Sequence, residues 1–123
     1  MAKNAKIFEE RPWGTFEVLH DHRTAGGGDV VVKKVVVHPR KRLSYQSHQK
    51  RREHWLVVEG NGKVILDGEE AVVGPESKIF VDTGVKHRII NTHPTSHLVF
   101  VEVSLGEFDE FDIMRYEDDF GRK

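Results

Sequence analysis

The chain is made of short runs in which apolar residues either alternate with polar ones or form β-branched stretches. The runs occupy residues 15–19, 30–38, 55–58, 78–81, 88–91 and 98–103. Valine-rich and aromatic runs of this length are typical of β-strands. No stretch carries a strong 3.6-residue apolar period, which an amphipathic helix would show. The pattern therefore predicts an all-β chain.

Glycine-rich turns separate these predicted strands at short intervals. Residues 26–28 (Gly-Gly-Gly) predict a hairpin loop, residues 60–62 (Gly-Asn-Gly) are expected to close a second hairpin, and Asp67-Gly68 is the strongest tight-turn signal. Residues 74–76 (Gly-Pro-Glu) break the next strand. Many short strands joined in this way indicate an antiparallel sandwich or barrel.

The two ends of the chain are less regular than its middle. Residues 1–10 are polar and predict a loose arm or an edge strand. Residues 109–123 form an acidic tail with interspersed apolar residues, which predicts a short helix or a strand-like cover. Because no linker interrupts the chain, we expect one domain over residues 1–123.

Composition narrows the classes of function. The 123 residues carry a formal net charge of −1, so no global attraction to nucleic acid or to an anionic membrane is expected. The chain has no cysteine, which excludes disulfides and thiolate metal sites. It shows neither an apolar leader nor a run of membrane-spanning length, so a cytoplasmic location is expected.

Four polar residues near predicted strand starts have the spacing of a metal site. Gln46 and His48 are two apart and therefore share one face of a strand. Glu53 opens the next strand after a short polar turn, and His87 opens another after a turn at Gly84. One amide oxygen, two imidazoles and one carboxylate suit zinc, or manganese, iron, nickel or cobalt nearly as well. We predict that the four converge on one divalent metal inside a barrel.

The same alternation predicts which residues after Glu53 face the inside of the barrel. From Glu53, an inner face of Trp55, Val57 and Glu59 is predicted, with the alternate residues facing outward. The chain has eight histidines, and most lone histidines lie on the surface or are hydrogen-bonded in a core. Five are interpreted in that way: His20, His22, His38, His93 and His97.

Two sequence motifs run through these residues. They are Gln46-x-His48, four residues, Glu53 and Gly60, followed by Gly84-x-x-His87-x-x-x-Asn91. Both motifs, in this order and at this separation, resemble those of the cupin superfamily. A cupin usually has histidine where Gln46 stands, so the first motif is a variant of the common one.

The resemblance tightens to the C-terminal cupin domain of type II mannose-6-phosphate isomerases, usually fused to a mannose-1-phosphate guanylyltransferase. The matching segments are Arg11-Pro12-Trp13-Gly14, Leu43-Ser44-x-Gln46-x-His48, Glu53-His54-Trp55, Gly84-Val85-x-His87 and Asp112-Ile113-x-Arg115-x-Glu117-Asp118-x-x-Gly121-Arg122. It implies a jelly-roll barrel (a double-stranded β-helix), a zinc-type site, and interconversion of mannose 6-phosphate and fructose 6-phosphate by a stand-alone domain. Gln49 and Lys50 stand where the family commonly has histidines. Because of this difference, the resemblance does not determine the exact substrate.

The implied reaction passes through an enediol(ate). It therefore needs a base, a group that stabilises negative charge on oxygen, and a residue that binds the phosphate. Lys50 is a candidate base, because regular parity would turn it inward, where desolvation beside a cation would lower its pKa. Glu59 is a second candidate by parity. Arg11 and Arg122, which lie in the terminal motifs, are the candidates for binding the phosphate.

Other functions stay open beside the isomerase. One is a non-catalytic module that binds a metal and a sugar and acts with a partner protein, which the change at residues 49–50 motivates. A metal-dependent oxygenase is less attractive because Gln46 replaces the usual histidine. A homodimer is expected, because a small sandwich leaves sheet edges and apolar faces that a second copy can cover.

Overall fold

The computed structural model describes residues 7–109 and 111–121, and the regular structure in these ranges is β-strand. The strands are β1 (Ile7–Arg11), β2 (Gly14–His22), β3 (Asp29–Val37), β4 (Tyr45–Ser47), β5 (Arg51–Glu59), β6 (Gly62–Leu66), β7 (Glu69–Val73), β8 (Lys78–Val81), β9 (His87–Asn91), β10 (Leu98–Gly106) and β11 (Met114–Glu117). The all-β prediction is confirmed. Within the described ranges, no helix has the length and apolar character needed to cross a membrane.

The strands form two antiparallel sheets that face each other. One has six strands in the order β1-β2-β3-β10-β5-β8, and the other has five in the order β11-β4-β9-β6-β7. Neighbours in each sheet are joined across long sequence separations as well as by hairpins, which is the arrangement of a jelly roll.

Strict alternation along β5 directs one set of its side chains into the space between the sheets. Arg51, Glu53, Trp55 and Val57 are buried, whereas the intervening residues are exposed. The predicted inner face is therefore confirmed as far as Val57. Glu59 is exposed, contrary to the prediction, because the pairing with β10 shifts register at this end of the strand.

The apolar core lies directly beside these inward residues. Trp55 and Phe100 pack with ring centroids 4.9 Å apart. Ile89 and Leu98 are fully buried around them. Each such side chain contributes about 1.5–3 kcal/mol through burial. This core fixes the strands whose polar residues form the site described below.

Two of the predicted turns have different outcomes. Asp67 and Gly68 both have positive φ and join β6 to β7 as a tight hairpin, as predicted. Gly60 does not close a hairpin, because β5 and β6 belong to different sheets. The chain crosses between the sheets there, with Gly60 at φ 88° and so close to its neighbour that an added Cβ would lie 2.3 Å from the His97 carbonyl oxygen. Glycine is required at that crossing.

Both ends of the described chain contribute edge strands. Residues Ile7–Arg11 form β1, so this part of the polar N-terminal stretch is an edge strand, as predicted. The acidic tail supplies β11, which pairs with β4 and forms one edge of the five-stranded sheet. Arg42 holds the end of the tail through a bidentate ion pair with Asp119. The tail is therefore the strand-like cover rather than a helix.

Candidate metal centre and its cavity

Three of the four predicted metal ligands converge between the sheets. His48 follows the end of β4, His87 begins β9, and Glu53 lies on β5 in the opposite sheet. One donor atom from each of the three lies within 4.8 Å of the other two. The carboxylate oxygens of Glu53 are 3.6 Å from His48 Nε2 and 4.0 Å from His87 Nε2. All three residues are almost completely buried.

Backbone carbonyls set the orientation of both imidazoles. His48 Nδ1 lies 2.9 Å from the Asp112 carbonyl oxygen, and His87 Nδ1 lies 2.9 Å from the Val85 carbonyl oxygen. A carbonyl oxygen accepts only, so each Nδ1 carries the proton and each Nε2 presents its lone pair to the cluster. Metal-binding histidines commonly donate the N–H of the other ring nitrogen to a carbonyl oxygen in this way.

The protonation states suit a cation. Burial lowers the pKa of His48 to about 4, and burial also lowers the pKa of His87, so both rings are neutral at pH 7. Burial opposes ionisation of Glu53, but the two histidines when they are protonated, Arg51 and a hydrogen bond from Trp55 Nε1 lower the pKa of Glu53. While both rings are neutral, the positive charge of Arg51 and the Trp55 hydrogen bond favour the carboxylate. The cluster therefore offers two neutral imidazoles and one carboxylate.

An unsatisfied atom supports the fit to a metal. His87 Nε2 is buried and has no hydrogen-bond partner among the described residues, although a buried polar atom normally has one. Two imidazole nitrogens and a carboxylate oxygen are donors that zinc and similar divalent ions accept. The donor chemistry and this orphaned lone pair fit a bound ion.

Gln46, the fourth predicted ligand, contacts the cluster through its amide nitrogen and not through the amide oxygen that would bind a metal. Its Nε2 lies 3.3 Å from His48 Nε2, while its Oε1 accepts a short hydrogen bond from Ser44 Oγ. Gln46 also pairs directly with His87 across β4 and β9. A half-turn of the amide would present the oxygen to the cluster, so the position fits the predicted role but the observed orientation does not yet supply a ligand.

Arg51 supplies a positive charge next to the ligand atoms. Its guanidinium donates to Glu53 Oε2 at 3.1 Å and to His48 Nε2 at 3.2 Å. A third donor group of Arg51 reaches the Asp109 carbonyl oxygen in the tail. A cation coordinated by His48 and Glu53 would take the same lone pairs, so Arg51 must release them when an ion binds.

The C-terminal tail holds the turn that carries His48. The carboxylate of Asp112 accepts hydrogen bonds from the backbone N–H groups of Gln49 and Lys50, at 3.0 and 2.8 Å. Its carbonyl oxygen orients the His48 ring, as described above. One tail residue therefore fixes both the backbone and the ring of a candidate ligand.

The two candidate bases do not lie where parity predicted them. Lys50 is exposed, with its ammonium 3.4 Å from Asp109 and 3.7 Å from Glu107. The hydrogen bond to Asp109 raises the pKa of Lys50, whereas a lowered pKa was predicted. The prediction of an inward, desolvated Lys50 is wrong, because β4 ends at Ser47 and strand parity does not extend past it. Glu59 is also exposed, for the reason given for β5.

A cavity of about 230 Å³ lies beside the cluster, bounded by Gln46, Arg51 and Glu53. Arg11 lies on its wall, with an ion pair to Glu9 and its guanidinium 4.9 Å from the Phe16 ring centroid. Arg11 is thus placed to reach a ligand in the cavity. Arg122, the other predicted phosphate-binding residue, lies outside the described residues.

Glu102 faces the same cavity and was missed by the sequence analysis. It lies on β10, in phase with the buried Phe100 and Ser104. Burial, and then the negative charge of Glu53, raise the pKa of Glu102 to about 7. The available signal was a single carboxylate inside an otherwise apolar run, two residues from Phe100 on the inward face.

Solved structures share this architecture. The capsular polysaccharide assembling protein CapF from Staphylococcus aureus matches 91% of this chain and 34% of its own with a TM-score of 0.72 at 21% identity. KdgF from Halomonas sp. matches 85% of this chain and 90% of its own, also at 0.72, with 15% identity. At these identities the likeness concerns the fold. Two facing antiparallel sheets around a buried histidine–glutamate–histidine cluster give the chain the jelly-roll barrel fold of cupins.

The family follows from the sequence comparison. Residues 2–118 match the family described as mannose-6-phosphate isomerase C-terminal, and the chain belongs to this family. The mannose-1-phosphate guanylyltransferase ManC of Salmonella typhimurium is 34% identical over 113 residues, which are 91% of this chain and 22% of that protein. The chain thus spans about a fifth of the length of the curated relatives that it matches. The resemblance to the cupin domain of this family is confirmed.

Proposed function

We propose that the protein is a metal-dependent aldose–ketose isomerase that interconverts mannose 6-phosphate and fructose 6-phosphate. The observation that carries the proposal is the buried cluster of His48, Glu53 and His87 beside a cavity with a charged wall. Membership of the mannose-6-phosphate isomerase C-terminal family supports the substrate class.

The ligand set favours zinc, with manganese, iron, nickel or cobalt as alternatives. His48, Glu53 and His87 would hold the ion, and Gln46 would join them after its amide turns. When bound, a divalent ion would stabilise negative charge on the sugar oxygens of an enediolate.

The rest of the cavity suits a small, charged sugar. Its volume of about 230 Å³ is below the range of roughly 300–1,000 Å³ common for drug-sized ligands, which favours a small occupant. Arg11 would bind the phosphate, for which its planar guanidinium is well suited. Its ion pair with Glu9 holds it against the wall of the cavity in the absence of substrate.

A second copy of the chain is the proposed partner. Leu56, Val58 and Phe80 lie on the outer face of the six-stranded sheet and are 39–48% exposed. His54 packs against Phe80 on this face, with ring centroids 4.8 Å apart. Covering such a face stabilises a homodimer. Sedimentation equilibrium tests this, and a monomer at high micromolar concentration would refute it.

The activity is tested with purified protein stripped of metal by a chelator and then reloaded with zinc, manganese or another divalent ion. Mannose 6-phosphate is added, and fructose 6-phosphate is followed by NMR. Turnover is expected only in the reloaded protein and is expected to be lost in His87→Gln. His20→Gln, which changes an exposed histidine outside the cluster, is the matched control. If the protein binds the sugar but does not turn it over with any of the metals, the isomerase proposal is refuted and the non-catalytic binding module is supported.

A further inference from the structure

Glu102 lies at the centre of the inner face of the six-stranded sheet. Its strand β10 runs between β3 and β5, and its partners across these strands are Lys33 and Trp55. Two residues further on, Ser104 pairs with Glu53, the carboxylate of the metal cluster. Glu102 therefore lies one step along the same face from Glu53, and both line the cavity.

The fold makes little use of this carboxylate. It accepts a hydrogen bond of 3.3 Å from Ser104 Oγ, and no ion pair to it is found within residues 7–109 and 111–121. The ammonium of Lys33, its neighbour on β3, lies instead over the rings of Phe16 and Phe108, at 4.5 and 4.9 Å. A desolvated carboxylate without an ion pair destabilises a fold, so its presence on a cavity wall points to a role with a ligand.

The surrounding charges bear on its protonation in opposite directions. Glu53 on β5 disfavours ionisation of Glu102, whereas Lys33 on β3 and Arg51 on β5 favour it. Arg115, from β11, lines the cavity on the other sheet. Glu102 therefore presents a carboxyl group to the cavity one step from Glu53, where it is placed to accept a proton from a bound sugar and to return it.

We propose that Glu102 is the catalytic residue that transfers the proton between the two sugar carbons, a role that sequence parity suggested for Lys50 or Glu59. This inference rests on the proposed isomerase function. The geometry favours Glu102 because this carboxylate faces the cavity beside the metal cluster, and because no ion pair joins it to the cluster or to a cation among the residues that the structure describes. Lys50 and Glu59 face solvent.

The step is balanced without any further reagent. The Glu102 carboxylate takes the proton from carbon 2 of the aldose, the C2–H pair forms the C1–C2 double bond, and the carbonyl pair moves onto the oxygen of carbon 1. The carboxyl group then returns its proton to carbon 1, while the hydroxyl proton on the oxygen of carbon 2 passes to the oxygen of carbon 1. Carbon 2 is left as the ketone.

The test compares Glu102→Gln with wild type, using metal-loaded protein and mannose 6-phosphate. The amide keeps the shape of the side chain but does not act as the base, so kcat is expected to fall about 10²–10⁴-fold with KM changed much less. Exchange of the carbon-2 hydrogen with solvent deuterium, followed by NMR, is expected to fall in parallel. The decline of wild-type kcat/KM towards low pH, where the Glu102 carboxylate is protonated, is expected to disappear from the residual activity. Glu69→Gln, an exposed carboxylate on β7, is the matched control.

Further measurements separate the possible failures. Titration calorimetry with zinc and a thermal unfolding curve establish that Glu102→Gln is folded and binds metal. Glu102→Asp, which keeps a carboxylate but shortens the side chain, is expected to retain more activity than Glu102→Gln. If wild type turns over and Glu102→Gln does so at a similar rate, the inference is wrong and the isomerase proposal stands. If metal-loaded wild type neither turns over nor exchanges, the isomerase proposal fails and the inference falls with it.

Discussion

Glu102 also makes a prediction about stability that is independent of any substrate. In the folded protein its pKa is about 7, whereas an unfolded glutamate has a pKa of 4.5. Between these values the folded state binds a proton that the unfolded state has lost, so this group contributes stability at low pH that disappears as the pH rises through 7. Glu102→Gln has no such proton.

The magnitude follows from the pKa difference. A rise from 4.5 to about 7 corresponds to about 3 kcal/mol, and the partial exposure of Glu102 to the cavity reduces this to between about 2 and 3 kcal/mol. Relative to wild type, the free energy of unfolding of Glu102→Gln is therefore expected to increase by this amount between pH 4.5 and pH 8. Titrating groups that do not interact with Glu102 are present in both proteins and cancel.

Urea unfolding of the metal-free proteins at several pH values measures this difference. With a slope of about 1–3 kcal/mol per molar urea, the midpoint of Glu102→Gln should move by about 0.7–3 M relative to wild type across the range. Glu69→Gln should run parallel to wild type, because Glu69 is exposed. Parallel curves for Glu102→Gln and wild type would show that the carboxyl of Glu102 titrates normally, and its raised pKa in the metal-free protein would be refuted.

Three other changes test the site and the core. At a zinc concentration 100 times the dissociation constant, wild type should gain about 2.7 kcal/mol in its free energy of unfolding, whereas His87→Ala should gain almost nothing; equal thermal shifts would exclude His87 as a ligand. Asp112→Ala should weaken zinc binding about 10–100-fold by calorimetry, because the turn and ring of His48 lose their support; unchanged affinity would contradict this. Phe100→Ala should lower the free energy of unfolding by about 3–5 kcal/mol in urea, and the exposed Phe111→Ala by less than about 0.5 kcal/mol; similar losses would argue against the described core.

Local periodicity was sufficient to predict most of the inner surface. Gln46 and His48 are two apart, and Glu53, Trp55 and Val57 continue the same rule along β5. Because a strand alternates its side chains with a fixed period, residues close in sequence can be assigned to a face without knowing what lies opposite. Five short segments along the chain then sufficed to recognise the family that the sequence comparison confirms.

The same rule is wrong where the strands stop being regular. Lys50 lies beyond the end of β4, and Glu59 lies at a register shift between β5 and β10. Residues 60–62 look like a hairpin turn, but the chain passes there from one sheet to the other. Strand ends, register shifts and crossings depend on the packing of distant strands, which local sequence does not encode.

By itself, the sequence determined the all-β class, many of the strands, the face on which several polar residues lie, and the residue types offered to a metal. Only the tertiary structure decided which of these residues meet. It brought His87 and Glu53 together from opposite sheets, set Asp112 of the tail behind His48, and placed Glu102 beside Glu53. The physical reason is that parity is a property of a single strand, whereas a site depends on register and packing between strands that are distant in the chain.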